Sequence, residues 1–357
     1  MSPLLSVIPA PRVAAVESAL QQAFGTAEVT AIQQLTAGLS ASSVYSIVVN
    51  DKPYVLKLDA PITNGQIGRG ADRTIQDTDG TAQADVLTAR PTNLQLAADA
   101  GVAPPLYYQN IVTGVSISGF INSKPLRANF SPDQLVVKLA STVRAIHGIR
   151  CESNGNDLLT IIDSLIGQFR QSRMLTGPIF DECFGYFDVI RGRYPWNDPD
   201  KVFSHNDLNP NNILGDGERI WIIDWDTAFL NHRYIDLANT ANYFVHTPQD
   251  EQLFLTTYFD GPPDDRQVAR FFIMRQVCRI IYSMLMLQLA ARHKPSDYQH
   301  DQQMEGCDMA TFSVLRSTGQ LSLASYEGQL MYGKVLVNEA LSQMRSPRFA
   351  AAIAGLG

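Results

Sequence analysis

The period of the apolar positions changes along the chain, and each change marks an element. Val13, Val16, Leu20 and Phe24 recur at helical spacing and Gly25 supplies a stop, so residues 12 to 25 are predicted to be a helix. Three strand patterns follow: 28-EVTAIQQL-35, 43-SVYSIVVN-50 and 53-PYVLKLD-59. Only Asp51 and Lys52 separate the last two, the length of a tight hairpin connection. The stretch 36-TAGLSASS-43 between the first two contains mostly small residues. Residues 60 to 92 are rich in Gly, Thr, Asp and Gln without a clear period, which predicts a long loop able to move. A helix at 93-NLQLAADA-100 ends at Gly101, and Pro104-Pro105 forbids its continuation. Strand patterns return at 106-LYYQNIV-112 and 115-VSISGFI-121. Beyond Pro125 the spacing is helical, over 132 to 149, 158 to 173 and again from about 249 to 345.

Strands therefore dominate the first third and helices the rest. That order predicts an α+β fold of two lobes, a small antiparallel-sheet lobe over 1–121 and a larger, mainly helical lobe over 122–357. The chain would cross between them at 117 to 126, and a cleft between the lobes is the default ligand site. Composition changes this picture little. With 45% apolar and 18% charged residues the 357-residue chain is ordinary for a globular protein. A net charge of −7 and the lack of any basic run exclude a general nucleic-acid binder. The four Cys residues are scattered without CxxC spacing, which predicts buried free thiols in a reducing, cytoplasmic setting. The N-terminus has no basic n-region and carries Pro9 and Pro11 within its short apolar stretch, so no signal peptide is expected. No apolar run approaches the roughly 20 residues a membrane span needs, so no membrane association is expected. Nothing in the chain predicts an oligomeric state.

Candidate chemistry concentrates in 203-FSHNDLNPNNIL-214 and 220-IWIIDWDTAFLNHRYIDLAN-239. Asn and Asp are poor helix and strand formers, so such a cluster is a plain turn or a loop kept for its oxygen atoms. Ile220 to Ile223 are apolar and β-branched apart from Trp221, preceded by the turn signal Gly215-Asp216-Gly217, and they read as a buried strand ending in the carboxylate of Asp224. A carboxylate there is costly unless it meets a cleft or a partner. Phosphoryl transfer needs a metal on the phosphates, a carboxylate to orient the attacking hydroxyl and a Lys for the phosphate tail. Asp224 and Asn212 suit Mg²⁺, a hard ion content with few oxygen ligands and several waters. Asp207 suits the base, and Lys57 sits inside an apolar strand where a charge needs a reason. Taken singly, each has an ordinary explanation: a turn, or an exposed alternate strand position.

Together, His205-x-Asp207-x4-Asn212 followed by Asp224 resembles the aminoglycoside phosphotransferase and choline kinase superfamily, a relative of protein kinases. The blocks 205-HNDLNPNNIL-214 and 223-IDWDTAFLNHRYIDLAN-239, with 145-AIH-147 closing a helix, look closest to the choline/ethanolamine kinase branch. The likeness runs from about residue 30 to 290, and the two motif blocks carry its specificity. The resemblance implies ATP and Mg²⁺ as cofactors and a small-molecule alcohol, amine-containing, as acceptor. It implies Asp207 as catalytic base, Asn212 and Asp224 as metal ligands, and Lys57 on the α/β-phosphates. The 38-GLSASS-43 turn, with Gly38, Ser40, Ser42 and Ser43, would cover the phosphates. Ser118, Gly119, Phe120 and Ile121 would form the adenine hinge, and His205 and Asp236 would hold the catalytic loop. Asp226, Trp225, Tyr243, Phe244, Tyr258, Phe259, Phe271, Phe272 and Tyr282 fall in the region where the family builds its acceptor pocket, although most such aromatics are core residues.

Two departures stand against the family pattern. The phosphate turn has only Gly38, and the helix around 92-TNLQLAADA-100 lacks the Glu that usually pairs with the Lys. Asp85 or Asp99 is expected to substitute, Asp85 first because it lies in the long loop. The missing Glu also admits an inert nucleotide-binding scaffold. A metal-dependent hydrolase on His205, Asp207, Asp224 and Asp226 is disfavoured by the absence of HxH or HExxH spacing.

Overall fold

The computed structural model describes residues 4–35, 42–62, 91–151, 157–197, 201–296 and 298–356. The fold is two-lobed and α+β, and the chain divides into two compact units, Met1–Asn154 with His205–Phe229, and Gly155–Ser204 with Leu230–Gly357. The chain thus leaves the first unit and returns to it with the Asn/Asp cluster.

The first unit opens with α1 (Leu4–Val7) and α2 (Ala10–Phe24), and Gly25 ends α2 in the left-handed conformation at φ 72°. Its sheet contains β1 (Ala31–Leu35), β2 (Ser43–Val49), β3 (Lys52–Leu58), β4 (Leu106–Asn110) and β5 (Val115–Gly119). The order is β1-β2-β3-β5-β4 with antiparallel neighbours throughout. Asn50 and Asp51, at φ 49° and 58°, make the β2–β3 turn with the double positive φ that tight hairpins require. The pleat does the sorting: Tyr54, Leu56 and Leu58 of β3 are buried, and Lys57 stands on the opposite face. Val13, Val16 and Leu20 of α2 join Ile47, Leu56 and Ile117 in one core. Arg12 fixes the helix to the sheet by donating to the carbonyls of Asp59 and Thr113, both at 2.7 Å, and of Gly114 at 3.1 Å. Gly114 is required there, because its φ is +61° and a Cβ would lie 2.5 Å from the Asp59 carbonyl oxygen.

The same unit contains α3 (Asn93–Asp99), N-capped by Thr92, and α4 (Leu126–Asn129). Next comes α5 (Pro132–His147), begun by a Ser131/Gln134 capping box. The returning segment forms the hairpin of β7 (Ile213–Gly215) and β8 (Ile220–Ile222). It is tied down by Ile222 N–H to Val102 O at 2.8 Å, Lys124 N–H to Gly215 O at 2.7 Å and Lys138 Nζ to Glu218 O at 2.6 Å.

The second unit is mainly helical. It comprises α6 (Leu158–Ser172), α7 (Pro178–Arg193), α8 (Tyr234–Phe244), α9 (Pro248–Phe259), α10 (Asp265–His293), α11 (Met309–Ser317), α12 (Tyr326–Met344) and α13 (Pro347–Ala354). Two short strands, β6 (Lys201–Ser204) and β9 (Phe229–His232), pair with each other. The 29-residue α10, started by an Asp264/Gln267 capping box, packs against α6, α8, α12 and α13. By length and composition alone α10 could cross a membrane, but 67% of its most apolar window is buried inside the protein. Its apolar residues are interrupted by Arg and Gln, which is why no continuous run shows in the sequence. Helix α12 meets α10 at Gly333, where a Cβ would come within 2.6 Å of Leu287 Cγ. Among the cysteines, Cys183 and Cys278 are buried free thiols, whereas Cys151 and Cys307 are only partly buried, short of the burial expected for all four.

Candidate functional site

The polar loop is built to hold one carboxylate in place. Asn209 Nδ2 donates to Asp207 Oδ1 at 3.0 Å. Asn212 Nδ2 donates to Asp207 Oδ2 at 3.1 Å and to the Asp207 carbonyl at 2.9 Å. The Asn209 side chain also caps the short 3-10 turn Pro210–Asn212, accepting from Asn211 N–H at 2.9 Å. Asn209 and Asn212 therefore shape the loop around Asp207.

His205, fully buried, joins this loop to the next one. Its Nδ1 accepts the Asp207 N–H at 3.3 Å, so Nε2 carries the ring proton and donates to the Ile223 carbonyl at 3.0 Å. The ring packs edge-on against Trp225, with centroids 4.8 Å apart. Further bonds run from Asn206 Nδ2 to Thr227 O at 2.8 Å, Thr227 Oγ1 to His205 O at 3.0 Å and Ile223 N–H to Asn212 O at 3.0 Å. Asn206 and Asp224 both sit at positive φ, 66° and 65°. For a non-glycine residue this is an uncommon conformation, held here by the bonds around it.

Lys57 reaches the Asp224 end of this arrangement. Its ammonium lies 2.7 Å from Asp226 Oδ2, 3.3 Å from Asp224 Oδ1 and 3.6 Å from Asp59 Oδ1. Burial alone would lower the Lys57 pKa, but the Asp226 carboxylate, with Asp59 and Asp224, raises it above the ordinary lysine value. Asp224 is pushed upward, mainly by burial and further by the like charges of Asp226 and Asp207, with Lys57 opposing. Three carboxylates thus meet one ammonium.

The Lys57 partners differ from those the sequence suggests. Asp99 accepts from Gln95 Nε2 at 2.7 Å within its own helix, and Asp85 lies outside the described residues. Lys57 pairs instead with Asp59, Asp224 and Asp226. Asp59 sits two residues after Lys57, on the same face by strand alternation, which is a legible signal. Asp226 depends on the turn at Asp224 and has no local signal. Of the phosphate turn, Gly38 and Ser40 lie outside the described residues; Ser42 Oγ donates to Asp59 Oδ1 at 2.6 Å, and Ser43 opens β2. Of the adenine-hinge candidates, Ser118 and Gly119 end β5, with Gly119 N–H on Pro105 O at 2.8 Å, while Phe120 and Ile121 follow the strand. Trp225, Tyr258, Phe271 and Phe272 are buried, and Phe272 also lines, with Tyr243 and Tyr282, a cavity of the helical unit.

Among the described residues no group of three or more His, Cys, Asp or Glu is gathered as a metal cage. The donors available near Asp224 are oxygens, and Asn212, with its amide nitrogen engaged by Asp207, has its amide oxygen left for an ion. Excess negative charge and a hard, sparse oxygen set fit Mg²⁺, which keeps most of its waters.

The family model of the phosphotransferase enzyme family matches residues 31–272, about two thirds of the chain. The chain belongs to the phosphotransferase enzyme family. Phosphoryl transfer is the chemistry of that family. Solved structures share the fold. A choline/ethanolamine kinase family protein from Mesorhizobium loti is 17% identical at a TM-score of 0.62, over 97% of this chain and 99% of that one. A choline kinase from Streptococcus pneumoniae is 20% identical at 0.52, over 79% and 92%. A spectinomycin phosphotransferase, solved with ADP and spectinomycin, is 16% identical at 0.50, over 89% and 94%. At such identities the likeness speaks to fold alone. An uncharacterised protein of Metamycoplasma hominis is 42% identical over 70 residues, 19% of this chain, so the match spans only 14% of that relative's length.

Proposed function

We propose that this phosphotransferase is an ATP-dependent, Mg²⁺-requiring kinase that transfers the γ-phosphoryl group to a hydroxyl of a small, amine-containing alcohol. The observation that carries the reading is the Lys57 ammonium held against Asp224 and Asp226 in the unit that also orients Asp207. Nucleotide use is supported by the relative solved with ADP, and the acceptor class by the choline, ethanolamine and spectinomycin named for the relatives.

In this reading Asp207 accepts the hydroxyl proton, and Asn209 and Asn212 keep its two oxygens from rotating away. Lys57 receives the α/β-phosphates, exchanging one of its carboxylates for phosphate oxygen. Asp224 and the Asn212 amide oxygen would hold Mg²⁺, which would supply positive charge to offset that of the phosphates. Gly38, Ser40, Ser42 and Ser43 cover the phosphates, and Ser118 to Ile121 receive adenine. Residues 1–121 serve as the nucleotide lobe and 122–357 bring the catalytic loop and the acceptor region. The inert-scaffold alternative rested on the missing Glu, and Asp226 supplies a carboxylate for Lys57 without it.

Screening choline, ethanolamine, thiamine, aminoglycosides and amino sugars for acceptor-dependent ADP release tests the proposal. Phosphorylated acceptor that forms only with Mg²⁺ and ATP is expected. ATP binding without turnover on any hydroxyl compound would return the scaffold reading, and hydrolysis needing no nucleotide would remove the kinase.

A further inference from the structure

The helical unit holds a cavity of about 310 Å³ lined by residues of α8, α9, α10, α11, α12 and α13. That lies at the small end of ligand pockets, roughly 300–1,000 Å³. Three arginines and two glutamates line it, and the way they pair leaves one charge over.

Arg275 and Arg348 share one carboxylate. Arg275 Nη1 lies 3.3 Å from Glu251, and Arg348 pairs with the other oxygen of Glu251. Arg275 is also bound by Asn242 Oδ1 and the Val245 carbonyl, both at 3.0 Å. Arg279 is treated differently. It is only 8% exposed, and its hydrogen bond, 2.7 Å to Gln276 Oε1, stays within its own helix. No carboxylate among the described residues pairs with it, and Glu339 acts on it only through space. Burial, followed by the like charge of Arg275, pushes the Arg279 guanidinium down to about 10.

An arginine does not escape burial by losing its proton, and a guanidinium presents five donors in a fixed fork. A buried fork with a neutral helical neighbour and a cavity in front of it lacks its main partner. Glu251 is already committed to two arginines, so a simple cation gains less here than an anion. The lining is also polar at Tyr243 and Tyr332, whose hydroxyls lie 3.0 Å apart.

We infer that this cavity binds a small molecule carrying a carboxylate or phosphate group, which Arg279 receives through its planar fork. Its use as the acceptor pocket rests on the phosphotransferase reading; the anion site itself does not. An acceptor would then carry an acidic group besides its hydroxyl, and a separate effector would bind through the same chemistry.

Matched probes test it on the full chain by thermal unfolding, since a ligand of the folded state raises Tm. The pairs are ethanolamine against serine, choline against carnitine and glycerol against glycerate, with inorganic phosphate alongside. The acidic member of at least one pair, or phosphate, is expected to raise Tm at millimolar concentration, with its partner inert. In Arg279→Gln that ligand should bind at least tenfold more weakly, and Arg279→Lys, which keeps the charge without the fork, should fall between. Circular dichroism checks that both variants are folded. Equal shifts within every pair, no shift with any acidic probe, or an undiminished shift in Arg279→Gln overturns the inference. ADP release with the binding ligand then separates the sources: turnover marks an acceptor, and binding without turnover marks an effector while leaving the anion site standing.

Discussion

Asp207 and Asp224 differ in what holds them, and their substitutions should fail differently. Asp207 takes two amide hydrogen bonds on its carboxylate, an arrangement that orients a base. Asp207→Asn keeps the shape and loses the proton acceptor. Steady-state kinetics should show kcat down by at least ~10²-fold, within the usual contribution of a positioned base, with ATP affinity nearly intact. Near-normal turnover would remove Asp207 from the mechanism. Asp224 is held upward in pKa by burial and by two neighbouring carboxylates, so it pays for charge that a cation recovers. Asp224→Ala should abolish productive Mg²⁺·ATP binding, and Asn212→Ala should be milder because water replaces a neutral amide ligand. An unchanged Mg²⁺ midpoint in Asp224→Ala would disprove the metal assignment. Most of these residues are legible from the spacing in 205-HNDLNPNN-212 and the lone Asp after an apolar strand. The Lys57 partners are not, because Asp226 comes 169 residues later and is aimed by the positive φ of Asp224, which no local pattern encodes.

At the scale of elements, the hairpin β7–β8 delivers Asp224, and Asp216 holds its turn. The Asp216 carboxylate accepts from the N–H groups of Glu218 at 2.8 Å and Arg219 at 2.7 Å and from Trp221 Nε1 at 2.8 Å. The Arg219 backbone and the Trp221 side chain lower its pKa from 3.8 to about 2. The ionised form is therefore favoured by folding. Its contribution is present above about pH 4 and fades as pH falls towards about 2. Asp216→Ala should cost roughly 1 kcal/mol near neutrality, with screening at this exposed site keeping it small. The gap in Tm between wild type and Asp216→Asn should narrow on acidification over that window. A gap that widened instead would mean the charge is not what stabilises the turn. The sequence shows this hairpin through Gly215-Asp216-Gly217 and the apolar run after it. Of the first-third strands, β2 and β3 are visible through their alternation, and the strand ends are misplaced by up to three residues. Helix α10 is the least legible, since burial on most sides erases the one-faced periodicity that marks a surface helix.

At the scale of the molecule, the chain's two units each have their own core, and the proposed nucleotide site draws on the first alone. Lys57, Asp59, Asp207, Asn212, Asp224 and Asp226 all belong to it, although they come from segments about 150 residues apart. Binding to the folded form stabilises the body that binds, by about 2.7 kcal/mol at a ligand concentration 100 times Kd. Hydrogen exchange reports this region by region, because protection tracks the local cost of opening. Mg²⁺·ATP should slow exchange in peptides covering 43–59, 115–119 and 205–229. Peptides from α10 and α12 should change far less. An acidic ligand of the Arg279 cavity should give the reverse map, with protection centred on α8, α10 and α12. Equal protection of both units by nucleotide alone would mean that the site is not confined to the first. Protection of α10 by nucleotide with none over 205–229 would place the nucleotide in the helical cavity and undo the roles given to Asp207 and Asp224.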